Sequence, residues 1–256
     1  SDNVHVIPTD TVYMTIDKEA VKKSGMMMAA DSIPDRMVIS LKGKNALYKG
    51  DLMMLEMIDR CNWTRPVYVA TTVGQENYMN LGDNFVQEGL ANRITPFTTN
   101  APGAKNFDTK RTYDNMMHKF KYGGLDKPGL YLDETVMRMC YTHRRLFVQL
   151  AMNLMGEGDK TKAAEVLAYA DKMIPEYNVP VDFNSGSLDQ ARLYIELGQK
   201  AKGMDILKKL WTKSEQYLKW YCSLGGTRFA SAQRDCMLHI FILQQAAMDG
   251  ASADRE

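Results

Sequence analysis

Apolar and polar positions alternate along "TVYMTID" (Thr11 to Asp17) and "RMVISL" (Arg36 to Leu41), the two-residue period of half-buried strands. Between them "KEAVKKSGMMMAA" predicts one or two helical turns broken at Gly25. Asp51 is expected to cap a helix that carries Leu52, Leu55 and Ile58 on one face and ends at Asn62 and Pro66. A strand "PVYVATT" should follow, then a helix or broken helix over "ENYMNLGDNFVQEGL", then a short strand "NRITPF" closed by Pro96. This pattern predicts a small layered α/β unit over 1–97.

From 98 to 129 the composition turns to Asn, Gly, Pro, Lys and Thr, with "TNAPGAKN" and "YGGLDKPG" on either side of a short helix at Tyr113 to Lys119. That stretch is expected to connect two domains. Beyond it the period changes to steps of three and four. Asp133 should cap a helix with Val136, Cys140, His143, Phe147, Leu150 and Leu154 on its apolar face. "GEGDK" turns the chain into a second helix with Ala163, Ala164, Leu167, Ala170 and Ile174, before Pro175. Its small residues let the first helix approach closely. Leu188, Ala191, Tyr194 and Leu197, then Ile206, Leu207 and Leu210, repeat the hairpin. The first hairpin fits the tetratricopeptide pattern; the second departs from it at Gly203, where alanine is usual. A last helix, "RFASAQRDCMLHIFILQQAA", should turn Cys236, Ile240, Leu243 and Ala247 inward and cap the stack. The fold class is therefore α+β, an α/β unit followed by a tetratricopeptide-like helical array over 130–256.

Composition narrows the function. The balance of 32 basic against 31 acidic side chains leaves +1, which supplies no electrostatic reason to expect a nucleic acid or an anionic bilayer as partner. With 45% hydrophobic and 25% charged residues the chain can bury a proper core. The longest apolar runs, such as Met26 to Ala30, are too short to cross a bilayer, and the N-terminus has no signal-peptide pattern. Cys61, Cys140, Cys222 and Cys236 form no CxxC pair, so neither zinc nor a disulfide framework is legible. The 19 methionines are expected mostly as adaptable core filler.

Candidate chemistry is sparse. Gly74 follows a strand but lacks the further glycines of a dinucleotide fingerprint, and GxxxxGK[ST] is absent, so no cofactor is expected. His5, His118, His143 and His239 make no HxxxH or HExxH. His143 is expected as a hydrogen-bonded core or interface residue, and "HRR" (His143 to Arg145) and "KAK" (Lys200 to Lys202) as solvated helix edges. Without GxSxG or a nucleophilic-cysteine signature, no catalytic residue and no metal ligand is assigned. Trp63 and Tyr78, with Arg65 and Arg93, form the one candidate ligand surface, suited to stacking a sugar or gripping a carboxylate, although core packing is the commoner fate of such aromatics.

Several ordered blocks, "YKGDLMMLEMIDRCNWTRPVYVATTVGQENYMNLGDNFVQEGLANRITPF", "YDNMMHKFKYGG", "YLDE", "NVPVDF" and "ELGQKAKG", resemble the C-terminal soluble region of a family found chiefly in Bacteroidetes. Its members are multi-span membrane proteins similar to protein O-mannosyltransferases, known as a domain of unknown function. The resemblance implies an extracytoplasmic tail on the periplasmic side of the inner membrane, joined to the membrane only through spans that precede it. In such enzymes the acidic catalytic residues lie between the first spans, so none is carried over here. "DTV" (Asp10 to Val12) and "DSI" (Asp31 to Ile33) match the O-glycosylation acceptor triplet of that bacterial group. The expectation is a non-catalytic domain that binds an acceptor protein, a partner or the membrane portion of its own chain. The alternatives are a carbohydrate-binding module centred on Trp63, with a glycan as partner, and a hydrolase or transferase with an interdomain site.

Overall fold

The computed structural model describes residues 9–26, 33–99 and 104–253. His5, the run from Met27 to Ala30, Asp31 and Ser32 of the second triplet, and 100–103 of the loop punctuation lie outside these. The fold is α+β, and contacts divide the chain into two units, Ser1–Asn115 and Met116–Glu256.

In the first unit, strands β1 (Thr11–Thr15) and β2 (Arg36–Ser40) pair antiparallel, with Tyr13 opposite Val38 and Met14 opposite Met37. The alternation read from sequence holds: Met14, Met37 and Ile39 are buried, while Tyr13 and Val38 face out. Helix α1 (Lys18–Lys23) is capped by the Asp17 carboxylate, which accepts from the Glu19 and Ala20 amides. Helix α2 (Lys49–Cys61) starts earlier than expected. Asp51 is not its cap; it sits one turn inside, where its carboxylate accepts from the Tyr48 amide at 2.9 Å and meets Lys44 at 3.3 Å.

A second sheet orders β3 (Tyr68–Ala70), β5 (Ala91–Ile94) and β4 (Phe85–Gln87), all antiparallel. The helix expected between Glu76 and Leu90 does not form; two short 3-10 turns, Gln75–Asn77 and Gly82–Asn84, and β4 take its place. Met79 (φ 52°) and Asn80 (φ 57°) are both left-handed, which no right-handed helix accommodates. Asn80 holds that turn by donating to the carbonyls of Ser40 (2.8 Å) and Lys42 (3.2 Å), and Met79 and Leu81 enter the core.

Residues 98–129 divide between the units. Helix α3 (Thr109–Asp114) closes the first, and a π turn (Asn115–Lys119) follows where a regular short helix was expected. The Gly-rich segment after it is fastened to the helical unit. Tyr122 packs against Phe147 and Tyr169, and Asn178 donates to the carbonyls of Leu125 and Lys127.

The second unit contains α4 (Glu134–Gly156), α5 (Lys160–Met173), α6 (Ser187–Glu196), α7 (Lys200–Ser223) and α8 (Gly226–Ala253). Helices α4 and α5 pair, as do α6 and α7, and α8 packs on α7 and α6. Phe147, Leu150 and Leu154 on α4 meet Ala163, Leu167 and Ala170 on α5, all buried as the three-and-four spacing requires. Gly203 proves to be the closest approach of the second hairpin: a Cβ there would lie 2.6 Å from the Ala191 carbonyl and from Ile195. That closeness explains why alanine is missing from this position.

Two expectations are corrected. On α8 the inward residues are Cys236, Ile242, Ala246 and Ala253, and Ile240 is 47% exposed. The helix is apolar on both sides, so periodicity could not choose; Arg192 on α6 sets its rotation by gripping Asp249 and Gln245, each at 2.8 Å. Arg144 is not a solvated edge but is 5% exposed. Its guanidinium donates to the carbonyls of Ile174 (2.8 Å), Val179 (2.6 Å) and Pro180 (3.0 Å), in the segment joining α5 to α6. Removing it leaves the carbonyls of Ile174 and Val179, both buried residues, without that donor. Arg144→Met should therefore lower unfolding free energy by about 3–5 kcal/mol. Urea denaturation followed by circular dichroism measures this, and a loss below about 1 kcal/mol would show that the carbonyls find other donors.

Candidate functional site

The four residues singled out from sequence do not form one surface. Asn62 (φ 34°) and Trp63 (φ 69°) are both left-handed, ending α2 and turning the indole into the core beside Ile58 and Phe85, where it is 7% exposed. A ring so enclosed presents no face for a sugar. Arg65 is exposed, and Tyr78 lies half-buried, edge-on to Phe85 at 4.9 Å. Along β5 the strand alternation sends Ile94 to the core that holds Trp63 and Arg93 to the opposite face.

Arg93, 3% exposed, belongs to a polar knot that periodicity gave no means of finding. Glu88 is its centre: Tyr68 donates to it at 2.7 Å, Arg93 lies 3.5 Å away and Arg111 3.6 Å. Arg93 and Arg111 also reach the carbonyls of Ser24 and Gly25, and Arg111 pairs with Asp108. Burial, then the bond to Glu88, raises the Tyr68 phenol above its ordinary value. Every charge in the knot is engaged, so it fastens α1, β5 and α3 to one another and leaves no carboxylate to react.

An open groove of about 740 Å³ runs along α7 in the second unit. Lys208, Lys209, Thr212, Lys213, Gln216 and Tyr217 form one wall, and Pro180 and Val181, held by Arg144, form the other. The helical period brings Lys209, Lys213 and Gln216 onto adjoining turns of the same face. Lys209 bonds Asp205 and Glu176, both at 2.6 Å, and its pKa is raised by those bonds in that order. For Lys213 burial opposes the charge, but Asp182 at 2.5 Å offsets it and the net shift is upward. Among the described residues Lys208 makes no ion pair. The three lysines are matched in number by Asp205, Glu176 and Asp182, so the charges along the groove are close to balanced and Lys208 is the cation left without an ion pair among the described residues.

A smaller hollow of about 290 Å³ adjoins the groove and shares Val181 and Asp205 with it. Its floor carries Asp171, which accepts from the Tyr194 hydroxyl and from Gln190 at 3.1 Å. Burial first, and Asp171 second, push the Tyr194 phenol far above its usual range. It is therefore a fixed donor at neutral pH, not a base.

His143 is half-buried and bonds the Met139 carbonyl at 2.8 Å. His239 lies beside the groove, stacked on Tyr217 at 4.6 Å, with Nδ1 3.1 Å from the Ser214 hydroxyl. This pair is not a nucleophile and its base, because Ser214 is 2% exposed and its oxygen is closed to a substrate. Among the described residues no His, Cys, Asp or Glu group could hold a metal ion. Nor is any helix long and apolar enough to cross a membrane.

A family model described as "TMEM260-associated domain 2" matches residues 1–114. Its boundary falls one residue from the Asn115 that ends the first unit, so one folded body carries the match. The match covers 114 of the 256 residues, and its description points to a domain that accompanies a membrane protein. No curated protein and no solved structure matches the chain.

Burial lowers the His239 pKa, Asp182 opposes that shift, and Lys213 adds to it. The unfolded chain, with an ordinary histidine near about 6.5, therefore binds this proton more readily than the folded one. Stability should be complete above about pH 7 and fall as pH drops toward about 5. Urea midpoints across that window check this, with His239→Gln expected to flatten the slope; an unchanged slope would place the proton elsewhere.

Proposed function

We propose that this chain is a non-catalytic accessory domain in the extracytoplasmic, periplasmic tail of a membrane-embedded glycosyltransferase-like protein, and that its α7 groove holds an acidic segment of an acceptor or partner protein. The observation that supports this reading is the groove lining. Lys208 is exposed and unpaired, while Lys209 and Lys213 are bonded to carboxylates in an open trough. A ligand carboxylate can pair with Lys208 directly and can take the place of Glu176 or Asp205 at Lys209 at little loss, because exposed ion pairs contribute about 0–1 kcal/mol each, while Lys213 keeps Asp182, which is 14% exposed. The match of residues 1–114 to a domain that accompanies a membrane protein supports the placement beside a membrane protein. The enclosed Trp63 leaves the carbohydrate-binding reading without its stacking residue.

Binding of a labelled hexaglutamate peptide, read by fluorescence anisotropy, tests the groove. Lys208→Glu, at an exposed site that leaves folding intact, should weaken binding about tenfold, and a hexalysine peptide should not bind. Equal affinity for wild type and variant would remove the groove from the function. In the parent protein, deletion of this domain should reduce glycosylation of protein acceptors, and undiminished glycosylation would contradict the accessory role.

A further inference from the structure

The hollow beside the groove draws its lining from three helices of the second unit. Asp171 comes from the end of α5, Gln190 and Tyr194 from α6, and Lys202, Asp205 and Ile206 from α7. Gln190 is 5% exposed and gives its amide nitrogen to Asp171. Its carbonyl oxygen accepts no hydrogen bond among the described residues and is not sealed from solvent. A buried amide normally has both ends engaged, so this oxygen is an acceptor left open to a donor inside the hollow.

One ammonium already stands at this place. Lys202 holds its Nζ 5.0 Å from the centroid of the Tyr194 ring and 3.7 Å from Asp171. A ring face and a carboxylate are the two contacts that favour an alkylammonium. The Lys202 side chain is nevertheless 54% exposed, and 3.7 Å is long for a charge-assisted hydrogen bond. An exposed pair of this kind contributes about 0–1 kcal/mol and opens readily. The neighbouring cations are fixed. Arg144 is spent on three backbone carbonyls, and Lys209 is held by Asp205 and Glu176, both at 2.6 Å. Arg144, Lys202 and Lys209 therefore balance Asp171, Glu176 and Asp205 only while Lys202 stays in place. With Lys202 turned out to solvent, the hollow lacks one positive charge, and the Asp171 carboxylate, the Tyr194 ring and the Gln190 oxygen face the vacated space.

We propose that this hollow binds the ammonium group of a lysine side chain from another polypeptide, and that Lys202 is the resident occupant it displaces. The volume of about 290 Å³ accommodates such a side chain, and Ile174, Val181 and Ile206 offer an apolar wall to its methylene stem. The carboxylate and the ring take the charge, and the Gln190 oxygen takes one of the three ammonium hydrogens. The hollow shares Val181 and Asp205 with the α7 groove, so a segment seated in the groove can bring its lysine here. That delivery rests on the groove reading; the ammonium site itself does not.

Titration of the full chain with Nα-acetyl-lysine amide up to about 50 mM, followed by NMR at the Gln190 side-chain amide and the Tyr194 ring, tests the proposal. Saturable shifts at these two residues, with a dissociation constant in the millimolar range, are expected. Nα-acetyl-norleucine amide, which keeps the hydrocarbon stem without the ammonium, should cause none. Alaninamide, a mimic of a chain N-terminus, should bind more weakly because it lacks the stem. Lys202→Met, at an exposed site, removes the resident ammonium and should tighten binding of the lysine probe about fivefold. Asp171→Asn, which keeps an acceptor for Tyr194, should weaken it about tenfold. Absent shifts, an equal response to the norleucine probe, tighter binding of alaninamide, or an unchanged or weaker affinity in Lys202→Met would each overturn the proposal. None of the probes carries an acidic group, so these outcomes are separate from whether the α7 groove takes an acidic segment.

Discussion

One buried guanidinium organises the helical unit. Arg144 rises from the middle of α4 and ties down three carbonyls of the segment between α5 and α6. That segment has no regular structure of its own beyond the 3-10 turn at Phe183–Ser185, so its course depends on such donors. Pro180 and Val181 then form a wall for α7 to face, and Asp182 comes within reach of Lys213. Burial works against the charge on Arg144 and lowers its pKa, an effect that Asp171 opposes without cancelling. The groove's second wall depends on this clamp together with Lys213, which reaches the Val181 carbonyl and Asp182.

The same logic separates what was legible in the sequence from what was not. Strands β1 and β2, helix α1 and helices α4 to α7 were readable, because each buries one face and the periods of two and 3.6 record that directly. Three failures share another cause. The helix expected over Glu76–Leu90 is broken by left-handed Met79 and Asn80, a backbone choice that composition does not show. The rotation of α8 is set by Arg192, a polar contact on a helix that is apolar on both sides. Arg144 itself looks like half of an exposed basic pair, and its burial depends on carbonyls thirty or more positions along the chain. Of the candidate site, Trp63 and Arg93 were recognised as unusual, but their places in the core and in the Glu88 knot rest on long-range packing. No local pattern singled out Lys208, Lys209 or Lys213.

The two units differ in how far their polar and apolar side chains are enclosed. In the first unit the Glu88 knot uses all its charges, and the ring of Trp63 is enclosed, so those residues hold a fold together. In the second, Lys208 stands exposed beside an open trough, and Met237, Phe241 and Met248 on α8 are exposed. The match of residues 1–114 to the model described as "TMEM260-associated domain 2" falls within the first of these units.

The most direct test of the clamp is amide hydrogen exchange of the unmodified chain. Val179, Ser185 and Gly186 donate to Pro175, Asp182 and Phe183 within the clamped segment. If Arg144 organises the unit, these amides exchange only as the whole helical unit opens, with protection matching that of Leu150 and Ala151 in α4. Exchange within seconds, at the rate of an unstructured loop, would contradict the account.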